Sequence, residues 1–324
     1  MPTLKRKIKR IIRKIRRAVR RPFEAAGYVF LKWTIPLLPR RMVIGLARFA
    51  GWVALRLPIR EREVGLKNLD AVFGDSKSTA EKKAILATSL ATFTQTMFDV
   101  FWFSKNPAKR IADFVTFDPS PLVERFFEDG AVICITAHMG SWEILGQATA
   151  LRGADLASIA ATVKNRTVDR VLIELREKTG QTIIPQKGAL KTLISRLRKK
   201  GKTAFVLDQH TAPENGGITV DFLGLPMSVS AAPAALAYRT GTPVYFGFSI
   251  PDSTGGYRIE ITDSLKPPAF QKEADMDGIV QQLTQKIEDR ISAQIHKYPQ
   301  FWLWSYKHWR RQAGGNYPAS YPDY

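Results

Sequence analysis

From residue 131 onward the hydrophobic and polar positions fall into blocks that alternate between two periods. Ala131 to Thr136 is an unbroken apolar or β-branched run, the pattern of a strand buried on both faces. Gly140 interrupts it, and Ser141 stands where the N-cap of a helix beginning at Trp142 belongs, with that helix reaching about residue 151. The same alternation continues through strand 156–161, helix 167–179, strand 182–185, helix 188–200 and strand 203–208. Strands joined by helical crossovers predict a mostly parallel sheet. An Ala-rich helix over 230–240 leads into strand 243–250, which pairs with 257–263 across the turn at Ser253 to Gly256, and a last long helix covers 275–297. Upstream, 61–113 reads as a helical lead-in broken around 74–78, with a new helix opening at Thr79-Ala80-Glu81. The expected class is α/β, a mixed, mostly parallel sheet flanked by helices.

The first sixty residues follow a different rule. In residues 4–19, Leu4, Ile8, Ile11, Ile12, Ile15 and Val19 recur at steps of three and four with cations between them. That is a basic amphipathic helix, suited to an anionic membrane surface. A polyanion-binding arm would carry the same charge, but the apolar stripe and the hydrophobic stretch downstream favour the membrane over nucleic acid. Formal net charge is +20; residues 1–21 hold eleven Lys or Arg and no acid, and the remainder still carries +9. Tyr28 to Leu38 includes Lys32 and Pro36, and Met42 to Pro58 includes Arg48 and Arg56, so neither is a clean span of about 20 apolar residues. Interfacial attachment over 1–60 and a globular domain over 61–324 are the expected organisation. The basic start lacks an apolar region followed by a cleavage site, so the chain is expected on the cytoplasmic side. Its single cysteine, Cys134, lies in the apolar strand, reads as a core residue and excludes a disulfide framework.

Candidate chemistry collects where strand 131–136 ends. His138 stands at its carboxyl end and Glu143 in the first turn of the next helix, the edge at which open α/β sheets bind ligands. A spacing of five residues would separate them by about 140° on one helix, but a strand-to-helix turn can fold them together. A carboxylate beside an imidazole fixes its tautomer and stabilises its charged form, making the His a base for a hydroxyl. A His that merely closes a strand end is the alternative. Asp208-Gln209-His210 ends another strand at the same edge; Asp208 is a candidate for orienting a neighbouring group, and His210 is a rival base expected to be exposed. Asn68, Gln95 and Asp99 read as capping or packing residues, and Trp302 and Trp304 as packing on the sheet. No metal-binding His pair, phosphate loop or serine elbow is present.

His138-x4-Glu143 is accompanied, in order along the chain, by Asn68-Leu69 with Phe73-Gly74, Lys164-Asn165, Arg176, Asp208-Gln209, Phe222-Leu223-Gly224 and a C-terminal FWLWSYKHWRR. From about residue 25 to 311 this set resembles the lysophospholipid acyltransferase superfamily, and more closely its lipid A late acyltransferase branch. The resemblance implies a glycerol-3-phosphate acyltransferase-like fold at the cytoplasmic face of the cell inner membrane. It implies His138 as base with Glu143 as its partner, and Arg176, Lys164, Asn165, Asp208 and Gln209 on the substrate side. The implied donor is acyl-acyl carrier protein, the implied acceptor a hydroxyl of a lipid A precursor, and no cofactor or metal is called for. The turn-rich loop Asn215 to Gly224, with Gly216, Gly217 and Gly224 around apolar Val220 to Phe222, resembles the element that flanks the acyl groove. Ala161-Thr162-Val163-Lys164-Asn165 departs from the aromatic-Arg-Pro element of many members, which leaves the acceptor and the acyl length open. Another membrane lipid as acceptor fits the same residues, and a membrane-tethered polyanion binder is the reading from a different class.

Overall fold

A computed structural model describes residues 22–311 and 315–324; the basic helix expected over 4–19 lies outside them. The chain enters through helix α1 (22–34) and α2 (Arg40–Arg56), followed by α3 (Arg60–Phe73), α4 (Thr79–Trp102) and α5 (Pro107–Phe114). The break before α4 is a capping box in which the Ser78 hydroxyl accepts from the Glu81 amide and the Glu81 carboxylate accepts from the Ser78 amide. Arg40 fastens α2 to α4 by clamping the fully buried Asp99, which also accepts from the Tyr257 hydroxyl.

The alternating blocks form the expected sheet. They are β1 (Val115–Phe117), α6 (Pro121–Glu128), β2 (Val132–Thr136), α7 (Trp142–Leu151), β3 (Leu156–Ala160), α8 (Arg166–Glu177), β4 (Thr182–Pro185), α9 (Ala189–Arg198) and β5 (Lys202–Val206). A hairpin β6 (Gly217–Phe222) and β7 (Leu225–Ser230) precedes α10 (Ala232–Thr240), β8 (Val244–Pro251), β9 (Tyr257–Leu265) and α11 (Met276–Lys297). Among the described residues seven strands pair in the order β1-β9-β8-β2-β5-β3-β4, with β8 and β9 antiparallel and the other neighbours parallel. The fold is therefore α/β with a mixed, mostly parallel sheet. Ile133 and Ile135 of β2 join the core under α9, α10 and α11, while Val132 and Cys134 face α6 and α7.

Three elements differ from the sequence reading. β1 and α6 were hidden because a three-residue strand and an eight-residue helix leave almost no periodicity to detect. The stretch read as a loop over 215–224 is the first strand and turn of the β6/β7 hairpin, in which Leu223 and Gly224 adopt positive φ of 55° and 79°. Phe222 is fully buried against Trp302 and Trp309, while Asn215 at the start of that stretch lines a cavity.

Candidate active site

β2 and β5 are parallel neighbours with Thr136 level with Val206. Each strand then runs two residues further, so His138 and Asp208 emerge side by side at the carboxyl edge. The His138 Nδ1 lies 2.6 Å from Asp208 Oδ1, and the His138 amide donates to Oδ2 at 2.9 Å. An ionised carboxylate only accepts, so Nδ1 carries the hydrogen and Nε2 is left with its lone pair. Gln209 Nε2 sits 3.3 Å from that lone pair, where a substrate hydroxyl would stand.

Asp208 is fully buried, which opposes its charge, but His138, His308 and the Trp302 indole N–H outweigh burial and hold its carboxyl below the usual range. The Trp302 Nε1 donates to Oδ2 at 2.7 Å, and His308 Nδ1 lies 2.8 Å from the Asp208 carbonyl. Burial lowers the pKa of His308 despite the pull of Asp208. The C-terminal segment thus grips the carboxylate from beneath, and it is stitched to the His138 turn by Leu303 N–H to His138 C=O at 3.0 Å and Gly140 N–H to Phe301 C=O at 2.9 Å. Gly140 is required here: its φ is +56°, and a Cβ would stand 1.8 Å from the Ser249 carbonyl oxygen.

Glu143 does not reach His138, although a strand-to-helix turn was expected to fold the two together. The turn closes at Ser141, which caps α7, and Glu143 points along the helix into Arg176, whose Nε and a terminal nitrogen donate to it at 2.8 and 2.6 Å. Burial alone would weaken the Arg176 charge, but Glu143 reverses this and raises its pKa. Glu143 also accepts from the Trp142 indole at 3.2 Å, and the Trp142 ring stands edge-on to His138 with centroids 4.8 Å apart. Its link to His138 is through Trp142. Arg176, expected to be free for substrate, is engaged by this carboxylate. Asn165 caps α8, accepting from the Thr167 amide at 3.2 Å, and Lys164 beside it is exposed. Asn68 donates to the Trp304 and Tyr306 carbonyls, Trp304 is fully buried, and Asp99 and Gln95 join the Tyr257 network; these four hold elements together, whereas Trp302, also fully buried, reaches the Asp208 carboxylate as well. His210, expected to be exposed, is partly buried, and burial with the nearby Arg310 lowers its pKa.

A cavity of about 700 Å³ opens beside His138. One wall is a row of small side chains crossing three strands, since Cys134 pairs with Ala204 and Ala204 with Ser158. Tyr245, level with Cys134 on β8, together with Phe126 and Ile261 forms apolar wall at one end of that row. Cys134 is a cavity residue as much as a core one, and burial pushes its thiol up to about 12. Sequence reasoning missed Trp142, Trp302 and His308 as neighbours of the His138–Asp208 pair and set Glu143 beside His138, where the structure has Asp208. The available signal was that the strands leading to His138 and to Asp208 end at the same edge of the sheet; their register is set by the fold.

Comparison with known proteins bears on this geometry. Over 180 residues the chain is 26% identical to the phosphatidylinositol mannoside acyltransferase of Mycolicibacterium smegmatis, covering 53% of this chain and 54% of that protein. Two phosphatidylinositol mannoside acyltransferases of Mycobacterium tuberculosis strains are each 25% identical over the same length, covering 52% of each. The chain spans about half the length of these relatives. The family model described as bacterial lipid A biosynthesis acyltransferase matches residues 12–311. With that match running across nearly the whole chain, from the helical lead-in through His138, Asp208 and the tryptophan segment beneath them, the protein belongs to the bacterial lipid A biosynthesis acyltransferase family.

Proposed function

We propose that this chain transfers a fatty acyl group from an acyl thioester, carried by acyl carrier protein, to a hydroxyl of a membrane glycolipid of the lipid A precursor class. The supporting observation is the His138–Asp208 pair at the mouth of a largely apolar cavity. The acceptor hydroxyl displaces Gln209 from the lone pair of His138 Nε2. Nε2 takes the hydroxyl proton as the oxygen attacks the thioester carbonyl, and Asp208 stabilises the imidazolium. The tetrahedral adduct then collapses, the ester C–O bond is kept, the C–S bond breaks, and His138 returns the proton to the departing thiolate. First-turn amides of α7 lie beyond the Ser141 cap and suit the developing oxyanion. Small side chains under α7 leave room for a straight acyl chain, and Lys164, exposed next to the cavity residue Val163, is a cation available to an anionic headgroup.

The setting in this reading is the cytoplasmic face of the inner membrane. No single helix among the described residues is long and apolar enough to cross a bilayer; α2 with the stretch from Arg60 to Ser76 passes only as a pair bent by 81°. α1 and α2 instead expose Phe30 (64%), Trp33 (70%), Phe49 (62%) and Trp52 (50%), with Arg56 over the Trp52 ring at 3.7 Å. Aromatic rings flanked by cations suit the headgroup boundary. A second acceptor reading, a phosphoglycolipid of the phosphatidylinositol mannoside kind, follows the names of the mycobacterial relatives.

Mass spectrometry of membrane lipids from cells with and without the chain tests the proposal. A lipid that gains one acyl group with the wild type and not with His138→Ala supports it. An identical lipid profile in all three, with the protein present and folded, rejects it.

A further inference from the structure

We infer that the exposed face of α9 is the docking surface for the acidic carrier protein that brings the acyl thioester, an inference that rests on the donor reading above. Residues 178–207 contain eight Lys or Arg and no acid. Two of the eight are engaged: Lys202 donates to the carbonyls of Asp129 and Gly130, and Arg196 to Asp155. Lys187, Lys191, Arg198, Lys199 and Lys200 are exposed and enter no ion pair among the described residues. Lys191 and Arg198 are seven apart on α9 and so share one face of the helix, and Lys187 stands in the turn just before its first residue.

That face leads to the cavity. Beside it stands Leu190, 53% exposed, and Gly188, Ala189 and Leu190 line the cavity that also reaches His138. An acidic partner seated on the cations would meet an apolar contact at Leu190. A thioester on a long arm would enter there and run over the strand ends to His138. Leu193 and Leu197 on the opposite side of α9 are buried in the core with Ile133 and Ile135, so the helix offers its cations on a fixed surface.

A membrane is the rival occupant for any basic face, and the fold disfavours it. The exposed aromatics belong to α1 and α2, and α2 packs on α4, which packs on α7 and α8 on one side of the sheet. α9 packs on β5 and α10 on the other side. A bilayer meeting Trp33 and Trp52 leaves α9 turned toward water, where a soluble acidic protein reaches it. Complementary charge then raises the encounter rate and loses that gain in salt.

The experiment compares two donors, an acyl-carrier-protein thioester and the same acyl group on pantetheine, which has no protein surface. For the triple variant Lys187→Glu, Lys191→Glu, Arg198→Glu, kcat/KM with the carrier should fall about tenfold or more at low ionic strength, mainly through KM, and kcat/KM with acyl-pantetheine should stay within twofold. Reversal of Lys83, Lys272 and Lys286, equal in charge but elsewhere, should spare both donors. If the wild type prefers the carrier and the α9 variant keeps that preference, or loses both donors equally, the docking surface is wrong. If the wild type shows no preference for the carrier at all, the donor reading falls and the docking surface with it.

Discussion

His138 and Asp208 are seventy residues apart in sequence and meet at 2.6 Å because β2 and β5 lie in register and both overrun their last paired residue by two. The carboxylate arrives with three donors already in place, from the His138 ring, the His138 amide and the Trp302 indole. A carboxylate so held cannot rotate away from the imidazole, so the tautomer that leaves Nε2 free is built into the fold.

Asp208→Asn keeps the shape and removes the charge, and its amide presents a donor where an acceptor is needed. Acyl transfer should fall by about 10²- to 10⁴-fold in kcat, the range of general-base assistance, in a protein that still folds. Steady-state rates with one acyl thioester measure this, and turnover above half that of the wild type would remove Asp208 from the mechanism.

Glu143 and Arg176 should behave as a structural pair. Their side chains are 6% and 19% exposed, and removing one partner of such a pair costs up to about 3–5 kcal/mol because the other charge is stranded. Glu143→Gln and Arg176→Gln should each lower stability, and the double variant should lose less than the two together, with a coupling of about 0.5–3 kcal/mol. Urea midpoints of the four proteins give the cycle. Additive losses would mean that the two side chains do not depend on each other.

Two buried carboxyls should give the stability curve opposite slopes. Asp208 is held below its ordinary value, so its contribution is complete above the unfolded-state pKa of about 3.9 and is lost as pH falls through the lower folded value. Glu288 is fully buried with neither oxygen hydrogen-bonded, and burial, with Asp208 and Asp289 nearby, raises its pKa well above the ordinary value. The native state therefore holds its proton, and stability declines as pH rises above about 4.3, where the unfolded chain ionises. Glu288→Gln should raise the melting temperature at pH 8 and leave it little changed at pH 4. A variant less stable at pH 8 would contradict this reading.

The aromatic face should carry membrane attachment. Replacing Phe30, Trp33, Phe49 and Trp52 by Ser should lower co-sedimentation with anionic vesicles in a way that added salt does not mimic, since apolar burial is not screened. Deleting residues 2–21 should remove the salt-sensitive part instead, at about 1 kcal/mol per cation near the surface. Full binding by the Ser variant in high salt would leave these rings without a role.

Much of the architecture was legible along the chain. The run from Val132 to Thr136, the glycine at 140 and the serine cap at 141 are local signals, because a strand buried on both faces and a capped helix each depend on residues near one another. They marked the sheet edge at which His138 stands. Elements too short to show a period, β1 and α6, and the hairpin of β6 and β7 escaped for the same reason in reverse: their stability comes from what they pack against. Glu143 was paired with His138 because five residues is close in sequence, yet helix direction sends its carboxylate to Arg176. Choosing Asp208 instead required the register of β2 against β5, and seating Trp302 beneath it required the C-terminal segment to fold back across the strand ends. Those are long-range pairings set by the packing of the whole sheet, and residue spacing alone carries no measure of them.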